Sequence, residues 1–290
     1  MLDIYYLKLK IKIEILQDCK LSKHKGYILM RSLKNFIFRS NCIKDGNCEN
    51  CEFHNTCMVI NTIDSKDGTG APFIIECFDQ REFFVKGDLL EFDVLLFGNA
   101  VMYLSQYIYT LDMMGEIGLQ NKNKYRLIDV HNENGAIIYE DGFFYSENID
   151  IKIIQDYVNN RKKNLNNIKS IEFIMPFRFL IYGELDDFLD LKDAINFIYQ
   201  RIFTLNDYAN NEIEKTIPNI KGKLGGEYRE WADIKGIYEG KSFIKMGGVM
   251  GKVEFPMEIN LIADYIVACE LAHIGEHTSL GLGKFIIIEN

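Results

Sequence analysis

Across 290 residues, 33 Lys and Arg face 42 Asp and Glu, for a formal net charge of −9, while hydrophobic residues make up 48%. With four prolines and no Ser- or Gln-rich tract, this composition excludes a disordered or linker-dominated chain, and the length suits two domains. No uncharged apolar run reaches the roughly 18 residues of a spanning helix, and the acidic balance argues at first sight against a nucleic-acid partner.

The opening MLDIYYLKLKIKIEIL alternates charged and apolar residues, unlike a signal peptide, and reads as a strand over Asp3–Leu16. Gly26 opens a helical pattern with Ile28, Leu29, Leu33, Phe36 and Ile37 on one face and Arg31, Lys34 and Arg39 around the other. A cysteine-rich segment over about 41–60 interrupts the pattern. Phe73–Phe78 and Leu89–Phe97 read as strands, Gly98–Met114 as an amphipathic helix, and Tyr125–Val130 and Ala136–Tyr139 again as strands. The second half starts afresh with a strand at Ser170–Ile174 and a helix at Leu189–Asp207. A glycine-rich stretch, Gly222–Gly248, holds the only tryptophan, Trp231; strand Val249–Phe255, helix Glu258–Leu271 and strand Lys284–Ile288 follow.

Both halves end alike, in amphipathic helix, glycine turn, basic residue and strand: MMGEIGLQNKNKYRLIDV against LAHIGEHTSLGLGKFIII. A duplicated ferredoxin-like unit is the simplest account. The expected class is therefore α+β: two tandem ferredoxin-like, RRM-like domains, over 1–150 and 165–290, with a glycine-rich loop at 275–284 near the C-terminus. Sheets of this kind often serve as RNA platforms.

Net charge hides patches. Residues 1–40 carry nine Lys and Arg against Asp3, Glu14 and Asp18, a local +6. A second acid-free window, Val158–Ser170, holds Arg161, Lys162, Lys163 and Lys169, and a third basic run is Lys122, Lys124 and Arg126. Phosphate binding follows local potential, not the total, so convergence of these runs on one face would give an acidic chain a basic stripe.

Cys48-x2-Cys51-x5-Cys57, preceded by Cys42 and with His54 between, places soft ligands densely enough to hold a structural zinc, or in principle an iron–sulfur cluster. The second CxxC of a strong zinc signature is missing, and a loop of reduced thiols fits equally. Seven cysteines without a secretion signal do not suggest a disulfide framework, and the expected location is the cytoplasm. Of the five histidines, His24 sits in Lys23-His24-Lys25-Gly26-Tyr27, where flanking lysines should lower its pKa and bind phosphate, and where Tyr27 offers a proton-transfer or stacking partner. His131 lies in an Asn- and Glu-rich loop; His273 and His277 flank Gly275 ahead of Gly281-x-Gly283-Lys284. That loop would let the backbone approach a phosphate, with Lys284 as a further donor, or simply connect helix to strand. It matches no Walker or dinucleotide pattern, and no HExxH or GxSxG is present.

Several pieces together resemble the CRISPR repeat-processing endoribonucleases, the sixth Cas protein family of the RAMP superfamily, in the branch with a cysteine-bearing insert. They are KHKGYILMRSLKNF, the Cys42–Cys57 insert, GDLLEFDVLLFGNAVMYLSQYIYTLDMMGEIGLQNKNKYRLIDV, FIMPFRFL, WADIKGIYEGKSFIKMGGVMGKVEF and HIGEHTSLGLGKF. The resemblance implies tandem ferredoxin-like RAMP domains and a glycine-rich loop that contacts RNA. It also implies cleavage of CRISPR repeat RNA, single-stranded or hairpin, in precursor transcripts to give mature guide RNAs. The family's chemistry is attack of a 2′-hydroxyl on the adjacent phosphate without a metal. On this chain His24 becomes the candidate base or acid, with Tyr27 its partner and His54 the runner-up; Lys25 and Arg31 become charge stabilisers. Lys23, Lys34, Arg39, Lys122, Lys124, Arg126, His277, Gly281, Gly283 and Lys284 are the candidate RNA contacts. No cofactor is required for catalysis; Cys42, Cys48, Cys51 and Cys57 are the candidate ligands of a structural zinc. Other Cas proteins are further candidate partners, and a membrane is not. A non-catalytic RAMP RNA-binding subunit and a metal-binding structural protein are the competing readings.

Overall fold

The computed structural model describes residues 1–44, 46–62, 70–119, 122–187, 189–226, 228–232, 235–238 and 242–289. The first repeat runs β1 (Tyr5–Ile15), α1 (Gly26–Asn41), β2 (Phe73–Glu76), β3 (Leu89–Phe97), α2 (Leu104–Ile117) and β4 (Tyr125–Asn132). In a seven-stranded sheet these strands take the order β2-β3-β1-β4, antiparallel throughout, with Ile137–Glu140 and Phe143–Phe144 continuing beyond β4 and Lys152–Ile153 pairing with the start of β1. That is the ferredoxin-like order, in which each helix crosses one face of the sheet. The alternation in β1 puts Leu7, Leu9, Ile11, Ile13 and Ile15 under the helices, where they meet Ile28, Leu29, Leu33 and Ile37 of α1.

The second repeat runs β5 (Ile168–Phe177), α3 (Leu191–Tyr208), β6 (Tyr228–Ala232), β7 (Gly248–Glu254), α4 (Ala263–Ala272) and β8 (Phe285–Glu289), with sheet order β6-β7-β5-β8, again antiparallel. Asp190 caps α3, its carboxylate accepting from the Asp193 N–H at 2.7 Å. A helix over Ile154–Lys162 links the repeats. Residues 233–234 and 239–241 of the Trp231–Gly251 block, and 120–121 of the earlier glycine turn, lie outside the described residues. Among the described residues no helix is long and apolar enough to cross a membrane.

Besides shifts of one or two residues at element ends, three predicted elements differ more widely. The helix expected at Gly98–Met114 is a 3-10 segment over Gly98–Tyr103 followed by α2, and Glu258–Leu271 divides in the same way, at Met257–Ile262 and α4. β5 extends beyond Ile174 through Met175-Pro176-Phe177, with an irregularity in its pairing to β7 that accommodates the proline.

The repeats do not keep separate cores. Leu2, Ile4, Tyr6, Ile74, Leu95 and Phe97 of the first repeat are buried in the second core, against α3 and the linking helix. In return Met246, Leu280 and Leu282 of the second repeat are buried in the first, with Tyr27 and Ile28. The glycine loop is thereby set into the seam between the repeats, beside the start of α1.

Candidate functional site

After β1 the chain makes a two-residue ladder, Cys19–Lys20 with Phe83–Phe84, and reaches His24 just before α1. His24 is half-buried. It lines a small cleft with Gly26, Tyr27 and Cys77 from the first repeat and Met175, Met246, Leu280 and Leu282 from the second. Burial, then the charges of Lys23 and Lys25, lower its pKa below the ordinary 6.5. A neutral imidazole at neutral pH, walled by apolar side chains and open on one side, can accept a proton.

The closeness of that cleft depends on two glycines. A Cβ on Gly26 would stand 2.3 Å from the Leu280 carbonyl oxygen, so the first turn of α1 rests directly on the glycine loop. Gly281, at φ 83°, lies on β2 in the same way, a Cβ there meeting the Ile75 carbonyl oxygen at 2.7 Å. Arg201 of α3 joins the repeats beneath. Its Nε donates to the Ala272 carbonyl at 2.9 Å and its Nη1 to the Ala71 carbonyl at 3.3 Å, and burial lowers its pKa to about 10.

The structure corrects the role expected of Lys25. Its side chain is 1% exposed, and its ammonium donates to the carbonyls of Asp79 at 2.8 Å and Arg81 at 2.6 Å. Burial lowers its pKa, against the opposing charge of Asp79, which lies 3.8 Å away. Lys25 thus fastens the segment carrying His24 to the 79–84 loop and is not presented to a phosphate. Tyr27 is 9% exposed and belongs to the first core, so it walls the cleft and has little open ring face for stacking.

The phosphate cradle expected at the glycine loop is corrected as well. The amides of Glu276, Leu280, Gly281 and Gly283 donate to the carbonyls of Arg178, His277, Thr278 and Pro176. Gly281 and Gly283 are buried. Lys284 sits 2.7 Å from Glu76 Oε1, with 17% of its side chain exposed. Only the tip, with exposed His277 at φ 58°, faces outward. The glycines serve close packing in the seam, and four of the loop's backbone donors are already occupied.

The basic runs divide in the same manner. Lys8 pairs with Glu76 and Asp93, Lys12 with Asp129 and Glu91, and Lys20 with Glu82. The open face of the first sheet therefore carries an ion-paired lattice, not the apolar and aromatic surface on which bases stack. In the second window Arg161 pairs with Glu270 and Lys162 with Asp264, which ties the linking helix to α4. In the third, Arg126 pairs with Glu14 while Lys122 and Lys124 are exposed. Lys23, next to His24, is exposed, as are Lys34 and Arg39 farther along α1, and Arg31 is half-buried on that helix.

The remaining histidines have other surroundings. His131 Nε2 lies 3.0 Å from Asp129 Oδ1, and His54 Nδ1 lies 3.1 Å from the Cys48 carbonyl. Buried His273 meets Glu76. Sequence reasoning missed Glu76, Cys77 and Arg201. The Glu ending the apolar run FIIE was visible, but nothing local named its partners.

Cys42, Cys48, Cys51 and Cys57 line one open cavity with Phe38, Phe53 and Tyr103. Four thiols are a donor set that suits zinc. Yet among the described residues no three His, Cys, Asp or Glu side chains stand close enough to hold a metal ion. As placed they do not fit a closed site, and no chemistry is routed through the insert.

Residues 4–149 match the family model AF_1859_N, described as an N-terminal domain, and residues 171–285 match CRISPR-associated endoribonuclease Cas6. No curated protein matches the chain in sequence. Among solved structures, a partial Cas6-RT-Cas1–Cas2 complex is similar over 99% of this chain and 46% of its own, at 12% identity and TM-score 0.59. The chain thus spans about half the length of that protein. Two Cas6 product complexes are each similar over 98% of this chain and over 100% and 99% of their own, at 12% and 10% identity and TM-scores of 0.51 and 0.50. At such identities the likeness is one of fold.

Proposed function

We propose, from the match of residues 171–285 to CRISPR-associated endoribonuclease Cas6, that the chain is a Cas6-type protein of the RAMP kind and an endoribonuclease that cuts CRISPR repeat RNA at the His24 cleft. The observation that carries this reading is the position of His24: a half-buried imidazole at the seam of the two repeats, opposite the glycine loop, with its pKa lowered. Ribose supplies its own nucleophile, so the protein has to move protons and stabilise charge. His24 takes the proton of a 2′-hydroxyl as that oxygen bonds to the adjacent phosphorus. The bond from phosphorus to the 5′-oxygen breaks, the leaving oxygen takes a proton from solvent, and the products carry a 2′,3′-cyclic phosphate and a 5′-hydroxyl. Lys23 beside the base and Arg31 in the second turn of α1 are the cations offered to the phosphorane-like charge. No metal is required in this scheme. The partners that fit it are repeat RNA and, as in the Cas6-RT-Cas1–Cas2 assembly, other Cas proteins.

The pH dependence tests the assignment. A general base must be neutral to act, and the His24 pKa lies below 6.5. Single-turnover cleavage should therefore rise with pH along a limb centred below 6.5 and be flat through neutrality. A limb centred above pH 7 would assign the base to another group.

A further inference from the structure

We propose that Glu76 is a positioning residue: it clamps both ends of the glycine loop to the first repeat and so fixes the wall against which His24 works. This deepens the functional reading above and rests on it. Glu76 is the last residue of β2 and is 3% exposed. Its Oε1 accepts from His273 Nε2 at 2.8 Å and from Lys284 Nζ at 2.7 Å, and its Oε2 accepts from Lys8 Nζ at 3.2 Å. His273 caps the end of α4 and Lys284 precedes β8, so the two C-terminal partners bracket the loop. His273 Nδ1 also lies 3.0 Å from the Leu282 carbonyl, inside the loop.

A carboxylate buried this deeply persists only where cations compensate its lost hydration. Burial raises the Glu76 pKa, but the hydrogen bond from His273 and the charges of Lys284 and Lys8 outweigh that and hold it well below the usual carboxylate range; burial lowers the His273 pKa to about 4, so at neutral pH His273 acts on Glu76 as a hydrogen-bond donor. Removing the carboxylate leaves Lys284 without a counter-charge and the His273 Nε2 without its acceptor in the seam, at a place where Gly281 already touches the backbone of β2.

The link to catalysis is geometric. The residue after Glu76, Cys77, lines the His24 cleft on one side, and Leu280 and Leu282 of the clamped loop line it on the other. The titratable or charged groups facing His24 are Lys23 and Lys25 on its own segment, Tyr27 of α1 and Cys77; Met175, Met246, Leu280 and Leu282 bring none. A loop released from β2 would admit water to the cleft, and the largest influence holding down the His24 pKa, burial, would weaken. Lys23 and Lys25 would stay in place.

The test compares Glu76→Gln, Lys284→Met and Lys8→Met in the full chain. Lys8→Met removes a cation from the same carboxylate without touching the loop. Each variant is read by the pH profile of single-turnover cleavage of repeat RNA and by amide hydrogen exchange over the 273–284 loop. Glu76→Gln and Lys284→Met should lower the plateau rate at least tenfold, move the rising limb up toward pH 6.5 and speed exchange in the loop. Lys8→Met should keep the wild-type limb and the wild-type exchange. A wild-type limb and wild-type loop exchange in both Glu76→Gln and Lys284→Met would overturn the clamp. If the wild-type protein cuts no repeat RNA, the functional reading fails, and the exchange data alone decide whether Glu76 holds the loop.

Discussion

Replacing His24 by alanine lowers single-turnover cleavage of repeat RNA by roughly 100- to 10,000-fold, the span usual for loss of a general acid or base, and leaves RNA binding essentially unchanged. The split follows from the site. The His24 ring is half-buried in a cleft whose other walls are apolar or backbone, so it should add little to phosphate attraction, which is expected instead from exposed Lys23 and, farther along α1, from Lys34 and Arg39. No other histidine offers the same geometry: His273 is 0% exposed and bonded to Glu76, His131 faces Asp129, and His54 stands in the cysteine insert against the Cys48 carbonyl. His277, exposed at the loop tip, is the informative comparison. His277→Ala should reduce the rate far less than His24→Ala. Rapid quench with saturating enzyme measures both variants, and an equal or larger loss in His277→Ala would move the base to the loop.

Gly26→Ala should cost both stability and rate, although helix propensity alone argues the opposite. Alanine is favoured over glycine inside a helix by about 1 kcal/mol. At Gly26, however, the added Cβ would stand 2.3 Å from the Leu280 carbonyl oxygen, which belongs to backbone and cannot rotate away. Overpacking of this kind costs about 1–3 kcal/mol, and relief requires α1 and the glycine loop to move apart. Both carry walls of the His24 cleft. Misplacement of reacting groups by about 1 Å can cost on the order of 100-fold in rate, and a loss of that order is expected here. Urea unfolding and single-turnover kinetics on the same preparation read the two effects. A more stable protein with an unchanged rate would show that the contact between α1 and the loop has no part in the site.

What the sequence made legible was local. The period-two alternation of β1 and the apolar face of α1 survive almost residue for residue, because each element buries one face on its own periodicity. The resemblance between the ends of the two halves corresponds to two sheets with the same strand order. His24 could be singled out because its flanking lysines are sequence neighbours. Its main influence, burial by Leu280 and Leu282 some 255 residues away, could not be read from sequence.

The charges misled for the same reason. Lys8 and Lys12 looked like part of a basic segment, but a strand places its residues beside those of other strands, and Asp93, Glu91 and Asp129 lie on the neighbours. Lys25 looked like a phosphate ligand because it follows a histidine, whereas its ammonium caps carbonyls at Asp79 and Arg81. The glycine loop looked open because glycines permit close approach. Here the backbone approaching it belongs to the protein itself, at Gly26 and Ile75. The net charge of −9 therefore coexists with a local cation set around α1 that is smaller than the +6 of the first 40 residues suggested.

The central claim is that the seam at His24 carries out an internal transesterification of RNA. The most direct measurement is end-group analysis of repeat RNA labelled at either end and incubated with the protein in excess EDTA. A single cut that leaves a 2′,3′-cyclic phosphate and a 5′-hydroxyl, undiminished by EDTA and lost in His24→Ala, is the predicted result. Products with a 3′-hydroxyl and a 5′-phosphate, or cleavage that stops on chelation and returns with added metal, would contradict it.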